Sequence, residues 1–154
     1  LDKLAEQGDA ARFSLPHPRV EGCPYDFSFS GLKTAVINLI HNAEQKGEAL
    51  PTADLAASFR RAVVDCLTEN TLLAMRDTGY KKLVVAGGVS ANALLRRRLS
   101  EECAARGWEL FLPALNLCGD NAAMVGAQGF YEYQAGRTAG MELNACAALS
   151  IEIG

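Results

Sequence analysis

The chain has 154 residues, a length typical of one domain that buries roughly 70% of the surface its unfolded form exposes. Its composition is that of an ordinary globular protein, with 49% hydrophobic residues, 21% charged residues and a mean hydropathy of +0.04. No apolar run approaches the ~18 residues of a membrane span, so we expect no membrane insertion. The net charge of −3 argues against a generally basic nucleic-acid binder, and contact with RNA would need a local patch or a partner protein.

The cysteines are odd in number and widely spaced, and no pair forms a CxxC motif. They are Cys23, Cys66, Cys103, Cys118 and Cys146. This pattern favours neither a disulfide framework nor a zinc knuckle, so we expect reduced, mostly buried thiols in a cytoplasmic protein. The sequence opens with LDKLAEQG, without an initiator methionine or a signal peptide, which predicts a fragment.

The first part of the chain predicts a helix end, a loop, a strand and a helix. Residues 1–7 are typical of a helix end with Gly8 as its left-handed cap, and an irregular loop then runs to Pro24. Alternation at period two predicts a short strand over residues 25–29. Apolar residues at helical spacing predict a helix after Ser30.

The rest of the chain alternates between helix and strand. The predicted elements are a helix from Thr52, its N-cap, to near Gly79; a strand over 83–86; a helix over 91–106 capped by Gly107; a strand over 108–112; and a helix over 121–135 capped by Gly136. This order predicts an α/β fold with two parallel strands and right-handed crossovers. Ligands are then expected at the carboxyl ends of the strands, in loops 87–90 and 113–120.

The segment LVVAGGVSANALLRRRL places two glycines between a strand and a helix. Gly87 and Gly88 have no Cβ, so a flat ligand or a phosphate can approach their backbone, and Ser90 could cap the next helix, whose N-terminus favours an anion. Neither GxGxxG nor GxxxxGK[ST] is present, which excludes the Rossmann and P-loop interpretations. A tight turn without a ligand explains this segment equally well.

Two further strand-to-helix turns carry polar residues. Asp120 falls at or next to a helix start, where it could cap the helix or coordinate a cation, and Asn121 beside it could do either. In DFSFSGLKTAV, Ser30 and Lys33 surround another such turn. Lys33 could neutralise a phosphate, although a lysine in this position is more often simply solvated.

The basic residues form three small clusters. They are Arg60 and Arg61, Lys81 and Lys82, and Arg96 to Arg98. Solvated helix faces are their usual explanation, and contact of one cluster with an RNA backbone is the alternative.

Three segments together carry a specific resemblance. DFSFSGLKT, VVAGGVSANALLR and CGDNAAM, in this order and at these separations, closely resemble the tRNA threonylcarbamoyladenosine transferase family, also called O-sialoglycoprotein endopeptidases or glycoproteases. The resemblance covers residues 1 to about 137 and corresponds to the C-terminal half of a family member. It implies that residues 1–154 form part of the C-terminal lobe of an actin-like, sugar-kinase-like ATPase fold with two ribonuclease-H-like lobes.

The resemblance also implies an activity. Family members transfer a threonylcarbamoyl group from threonylcarbamoyl-AMP to the N6 amine of the adenosine beside the anticodon, in tRNAs that read codons beginning with A. Gly87, Gly88 and Asn92 match the family's nucleotide-binding turn, and Asp120 matches its metal-ligand aspartate. The implied cofactors are a divalent metal, iron or zinc, and a nucleotide or threonylcarbamoyl-AMP. The implied partners are tRNA, a paralogous dimerisation partner and, in bacteria, a P-loop ATPase.

Some features of the family pattern are absent. The family's other metal ligands are two histidines spaced HxxxH in the N-terminal half, whereas His17 and His41 fit no such spacing. The N-terminal nucleotide-contacting residues are missing too, so we expect no transfer by this chain alone. The end of the tail over 138–154 differs from the family pattern, and no function is predicted for it.

Two other functions remain open. One is a metabolite kinase or another ATPase of the same superfamily, and the other is a non-catalytic partner subunit of the tRNA-modifying complex. A metalloprotease is disfavoured, because the chain has no HExxH motif to supply a metal and a general base.

Overall fold

The computed structural model describes residues 1–17 and 20–148 and divides into two compact units, Leu1–Cys118 and Gly119–Gly154. The first unit contains α1 (Asp2–Ala5), α2 (Ser30–Lys46), α3 (Thr52–Thr78), β1 (Lys82–Val84), a 3-10 turn (Gly88–Ala91), α4 (Ala93–Arg106), β2 (Glu109–Phe111) and a second 3-10 turn (Leu115–Leu117). The second unit contains α5 (Ala122–Gln134). Positions 18 and 19 of the predicted loop and 149–154 of the tail lie outside the described residues. No described helix is both long and apolar enough to cross a membrane.

The two strands form a small parallel sheet, which confirms the predicted α/β class. Lys82 pairs with Glu109, Leu83 with Leu110 and Val84 with Phe111. Because side chains alternate across a strand, the central leucines of both strands share one face of the sheet. That face packs on the main apolar cluster, whose buried members are Val64 from α3 and Leu95 and Leu99 from α4. The sheet and two helices thus hold the loops that follow each strand.

Helix α1 packs closely against α3 through small side chains. Ala5, Ala56 and Ala57 are each almost completely buried in this contact. Gly8 continues the close approach, since a Cβ there would lie 2.0 Å from the carbonyl oxygen of Ala53. The prediction that Gly8 is a left-handed cap is wrong: α1 ends earlier, and its C-cap Glu6 is right-handed.

The helix end predicted near Gly79 and the cap predicted at Gly107 are confirmed, and Gly136 lies one residue after Ala135, the C-cap of α5, whereas two other local predictions are wrong. Gly79, Gly107 and Gly136 follow their helices with φ of 75°, 66° and 71°. Residues 25–29 form no strand and pair with neither β1 nor β2, the strands of the described sheet. Thr52 is the first residue of α3 and does not cap it; Pro51 occupies the N-cap position without a side-chain hydrogen bond.

The cysteines differ in their exposure to solvent. None of the five, all of which lie in the described residues, is in a disulfide. Cys66, Cys103 and Cys118 are buried, whereas Cys23 and Cys146 are exposed. Burial raises the pKa of the Cys66 and Cys103 thiols, so both are poor nucleophiles.

Candidate functional site

The turn after β1 leaves open space in front of its backbone. Gly87 has φ 85° and ψ 171°, a conformation that essentially only glycine adopts. Gly88 then opens the 3-10 turn, in which the Ser90 N–H donates to the Gly87 carbonyl at 3.0 Å. A Cβ at either glycine would meet no heavy atom within 4 Å. The backbone N–H groups of Gly88 and Val89 donate to no described residue, so both are available to a ligand.

Asn92, and not Ser90, caps helix α4. The Asn92 Oδ1 accepts from the Leu95 N–H at 2.9 Å, and the helix begins at Ala93, two residues later than predicted. Ser90 instead lies inside the 3-10 turn, is only 1% exposed, and its hydroxyl has no partner among the described residues. The sequence SAN contains two residues that commonly cap helices. Because Ser90 lies inside the 3-10 turn, the α-helix begins only after Asn92, and Asn92 is its cap.

The other end of the Asn92 amide binds an internal carboxylate. Its Nδ2 donates to Asp2 Oδ1 at 3.0 Å, and Arg60 Nη1 lies 2.9 Å from the same oxygen. The hydrogen bond from Arg60 lowers the pKa of Asp2, helped by the backbone N–H of Ala93 and the Asn92 amide. The positive end of α4 therefore already faces an anion, and a ligand phosphate would meet Gly88 and Val89 first.

A cavity of about 430 Å³ lies beside this turn, within the size range of small-ligand pockets. Its wall includes Phe59 and Val63 of α3 together with Gly88 and Val89 of the turn. Of the predicted nucleotide residues, Gly88 and Asn92 line this cavity, and Gly87 is the residue before Gly88. Whether they bind a nucleotide stays a prediction.

Asp120 belongs to the second unit and is exposed. The N-cap of α5 is its neighbour Asn121, whose Oδ1 accepts from the Met124 N–H at 3.1 Å and whose Nδ2 donates to the Gly119 carbonyl at 3.1 Å. The alternative that Asp120 caps this helix is therefore wrong. The Asp120 carboxylate makes no hydrogen bond or ion pair with a described residue, which leaves its oxygens available to a cation. Within residues 1–17 and 20–148, no group of three or more His, Cys, Asp or Glu residues could hold a metal ion.

Ser30 and Lys33 lie in the first turn of α2. The Ser30 carbonyl accepts from the Thr34 hydroxyl at 3.0 Å, so this residue supports the helix start. The Lys33 side chain is exposed and forms no ion pair with the described part of the chain. No hydrogen bond between described residues links either side chain to the turn at Gly87 and Gly88. Their predicted contact with phosphate or substrate stays a prediction.

Most residues of the three basic clusters pair with acidic side chains of the same chain. The pairs are Arg60 with Asp2, Arg61 and Arg98 with Asp65, Lys82 with Glu109, and Arg97 with Glu101. Arg96 differs from the others, because it binds the backbone carbonyls of Ser90 and Pro113. Sequence reasoning treated Arg96 only as one of three adjacent arginines. Its place in the first turn of the helix that follows the glycine pair was the available signal.

Comparisons with known proteins match these segments. The sequence model of the family described as tRNA N6-adenosine threonylcarbamoyltransferase matches residues 1–127, a range that includes the glycine turn and Asp120. Proteins of that name from Bacillus cereus and Staphylococcus saprophyticus are 47% and 45% identical to this chain, and each alignment covers 99% of it. The chain spans 44% of the length of both relatives. It therefore belongs to the tRNA N6-adenosine threonylcarbamoyltransferase family.

Proposed function

We propose that the chain is part of the C-terminal lobe of a two-lobed, actin-like enzyme that modifies tRNA. The enzyme transfers a threonylcarbamoyl group from threonylcarbamoyl-AMP to the N6 amine of the adenosine beside the anticodon, in tRNAs that read codons beginning with A. The observation that carries this proposal is the family match over residues 1–127, together with relatives of that name at 40–47% identity. The chain covers less than half of those relatives, so the activity is proposed for the longer protein.

The turn at Gly87 and Gly88 would bind the nucleotide part of the donor. The donor is an activated mixed anhydride, whereas the adenine N6 amine is a weak nucleophile. Catalysis then depends on positioning both groups and on stabilising the negative charge that develops on the carbonyl and phosphate oxygens. The free N–H groups of Gly88 and Val89 can donate to such oxygens, and the open space in front of the glycines admits them. The transfer needs no covalent intermediate on the protein.

Asp120 fits one position in the coordination of a divalent metal, iron or zinc. It is exposed and its carboxylate is not engaged by a described residue. One carboxylate does not make a metal site, and the described residues offer no set of three ligands, so the remaining ligands would come from elsewhere in the longer protein. A bound metal would supply Lewis acidity toward the donor oxygens.

The remaining partners are also part of the proposal. The acceptor is tRNA, and the enzyme works in the cytoplasm with a paralogous dimerisation partner and, in bacteria, a P-loop ATPase. The chain itself has a net charge of −3, and most of its basic clusters are paired internally. A tRNA surface therefore needs basic residues from the rest of the protein or from a partner.

The test measures threonylcarbamoyladenosine in tRNA by mass spectrometry, with the full-length protein and its partner proteins. We expect product from the wild type and a loss of at least about tenfold in Asp120→Ala. Glu142→Ala is the matched control, since Glu142 is also an exposed carboxylate of the second unit, and it should retain activity. Absence of product from the wild type would refute the transferase proposal, whereas equal activity of Asp120→Ala would refute only the metal role.

A further inference from the structure

We infer that Arg96 is a positioning residue, which holds the donor-binding turn of Gly87–Asn92 in place by fastening it to the loop after β2. This inference rests on the proposed function, because it assigns a role in donor binding to a residue through its contacts with the backbone of the turn.

The guanidinium group of Arg96 bridges the two loops that follow the parallel strands. Its Nη1 donates to the Ser90 carbonyl at 3.0 Å, and its Nη2 donates to the Pro113 carbonyl at 2.9 Å. The same Nη1 lies 3.8 Å from the Cys118 Sγ, which itself donates to the Ala114 carbonyl. Arg96 thus contacts the turn after β1 and both ends of the loop after β2.

These contacts require an arginine. A planar guanidinium presents its N–H groups in a fixed fork, so one side chain can bind two carbonyls in two directions. A lysine at the same place carries its three N–H donors on one nitrogen at the end of a flexible chain, so it is less well preorganised to bind two separate carbonyls. The Ser90 carbonyl lies in the 3-10 turn and the Pro113 carbonyl in the loop after β2, and for each the partner is the side-chain donor of Arg96.

The two neighbouring arginines have a different role. Arg97 is largely exposed and lies 4.0 Å from Glu101, one turn along the same helix. Arg98 pairs with Asp65 of α3 at 3.6 Å. Both are ion pairs on the protein surface, which contribute little to stability. Arg96 is the member of this cluster that binds the loops around the candidate site.

Fixing the Ser90 carbonyl also fixes the donors that precede it. Ser90 is buried, and its N–H already binds the Gly87 carbonyl, so both polar groups of its backbone are held. The peptide units of Gly88 and Val89 lie between these two anchors. Without Arg96, one anchor is lost and the two free N–H groups can turn away from the donor phosphate. The donor phosphate then loses two hydrogen-bond donors in the ground state, which raises KM.

The experiment compares Arg96→Met, Arg96→Lys and Arg97→Met in the full-length protein. Hydrogen exchange is measured at the Ser90 and Asn92 amides, with the α2 amides as a reference for global unfolding. Transfer kinetics are measured with threonylcarbamoyl-AMP. For Arg96→Met we expect faster exchange confined to the turn and a KM about tenfold higher, with kcat changed by less than about twofold. Arg96→Lys should be intermediate, and Arg97→Met should match the wild type.

Unchanged exchange at the turn in both Arg96 variants would overturn the inference. Faster exchange with an unchanged KM would also overturn it, because Arg96 would then be structural only. If Arg96→Met fails to fold, Arg96→Lys decides by the same two measurements. A wild type without transfer activity would refute the proposed function. The role of Arg96 would then be tested by the dissociation constant of AMP, measured for the wild type and the Arg96 variants in place of the donor KM.

Discussion

The side-chain amide of Asn92 serves two purposes at once, because its oxygen caps α4 and its nitrogen binds Asp2. Replacing a capping asparagine by alanine typically costs about 1 kcal/mol, and the lost bond to a charged partner adds to this. We therefore expect Asn92→Ala to lower the free energy of unfolding by about 1–2 kcal/mol in denaturant titrations. Asn116→Ala, at an exposed position, is the control and should change it little. Equal midpoints for the two variants would contradict the capping role.

Loss of the helix cap would also affect any activity measured with Asn92→Ala. A lower yield of modified tRNA from that variant would not by itself establish a ligand contact, because the variant also loses the helix cap. Asn92→Asp keeps the capping oxygen and removes the amide donor, but it places a second carboxylate beside Asp2. It should therefore retain α4 and weaken the link to α1.

The ion pair between Asp2 and Arg60 makes stability depend on pH. The pKa of Asp2 is lowered from its ordinary value of 3.8, chiefly by the hydrogen bond from Arg60. A lowered folded-state pKa means that this stabilisation is present above pH 3.8 and is lost as the pH falls through the folded-state pKa. The free energy of unfolding, measured in denaturant at each pH, should therefore fall less for Asp2→Asn than for the wild type as the pH is lowered from neutral to acid. Glu48→Gln, an exposed control, should follow the wild type.

At the scale of elements, the two glycines of the turn should respond differently to alanine. Gly87 has φ 85° and ψ 171°, where a side chain costs about 1–3 kcal/mol, whereas Gly88 has no left-handed conformation and open space around it. Gly87→Ala should therefore lower the thermal midpoint of unfolding, and Gly88→Ala should not. If Gly88→Ala keeps its stability and loses nucleotide affinity, the turn has a binding role. Retained affinity would favour the alternative of a tight turn without a ligand.

The elements also show what sequence could predict. Helix ends marked by Gly79 and Gly107 were predicted correctly, because a left-handed glycine is a local signal. The strand over 25–29 was wrong, since a period-two pattern does not supply a pairing partner. The place of Gly8 depends on the distant Ala53 backbone, and the contacts of Arg96 join residues 90 and 113. Such contacts between distant residues leave no periodic pattern in the sequence.

At the scale of the whole molecule, we expect the 154-residue chain alone to produce no threonylcarbamoyladenosine. It spans 44% of relatives such as the Bacillus cereus protein, and its described residues offer no set of metal ligands. The assay supplies donor, tRNA and partner proteins to the short chain and, separately, to the full-length protein. Product from the short chain would show that its own residues suffice for transfer. The proposal that the other metal ligands come from the rest of the longer protein would then be wrong.

The exposure of the cysteines allows the protein to be labelled at native positions. Cys23 in the first unit and Cys146 in the second are exposed, whereas the other three are buried. A maleimide fluorophore should thus attach at two positions in the native protein and at five after unfolding, as counted by mass spectrometry. One donor dye and one acceptor dye then report the distance between the two units by energy transfer, without engineered cysteines. Adding a nucleotide such as AMP to this sample would show whether that distance changes when the nucleotide is present.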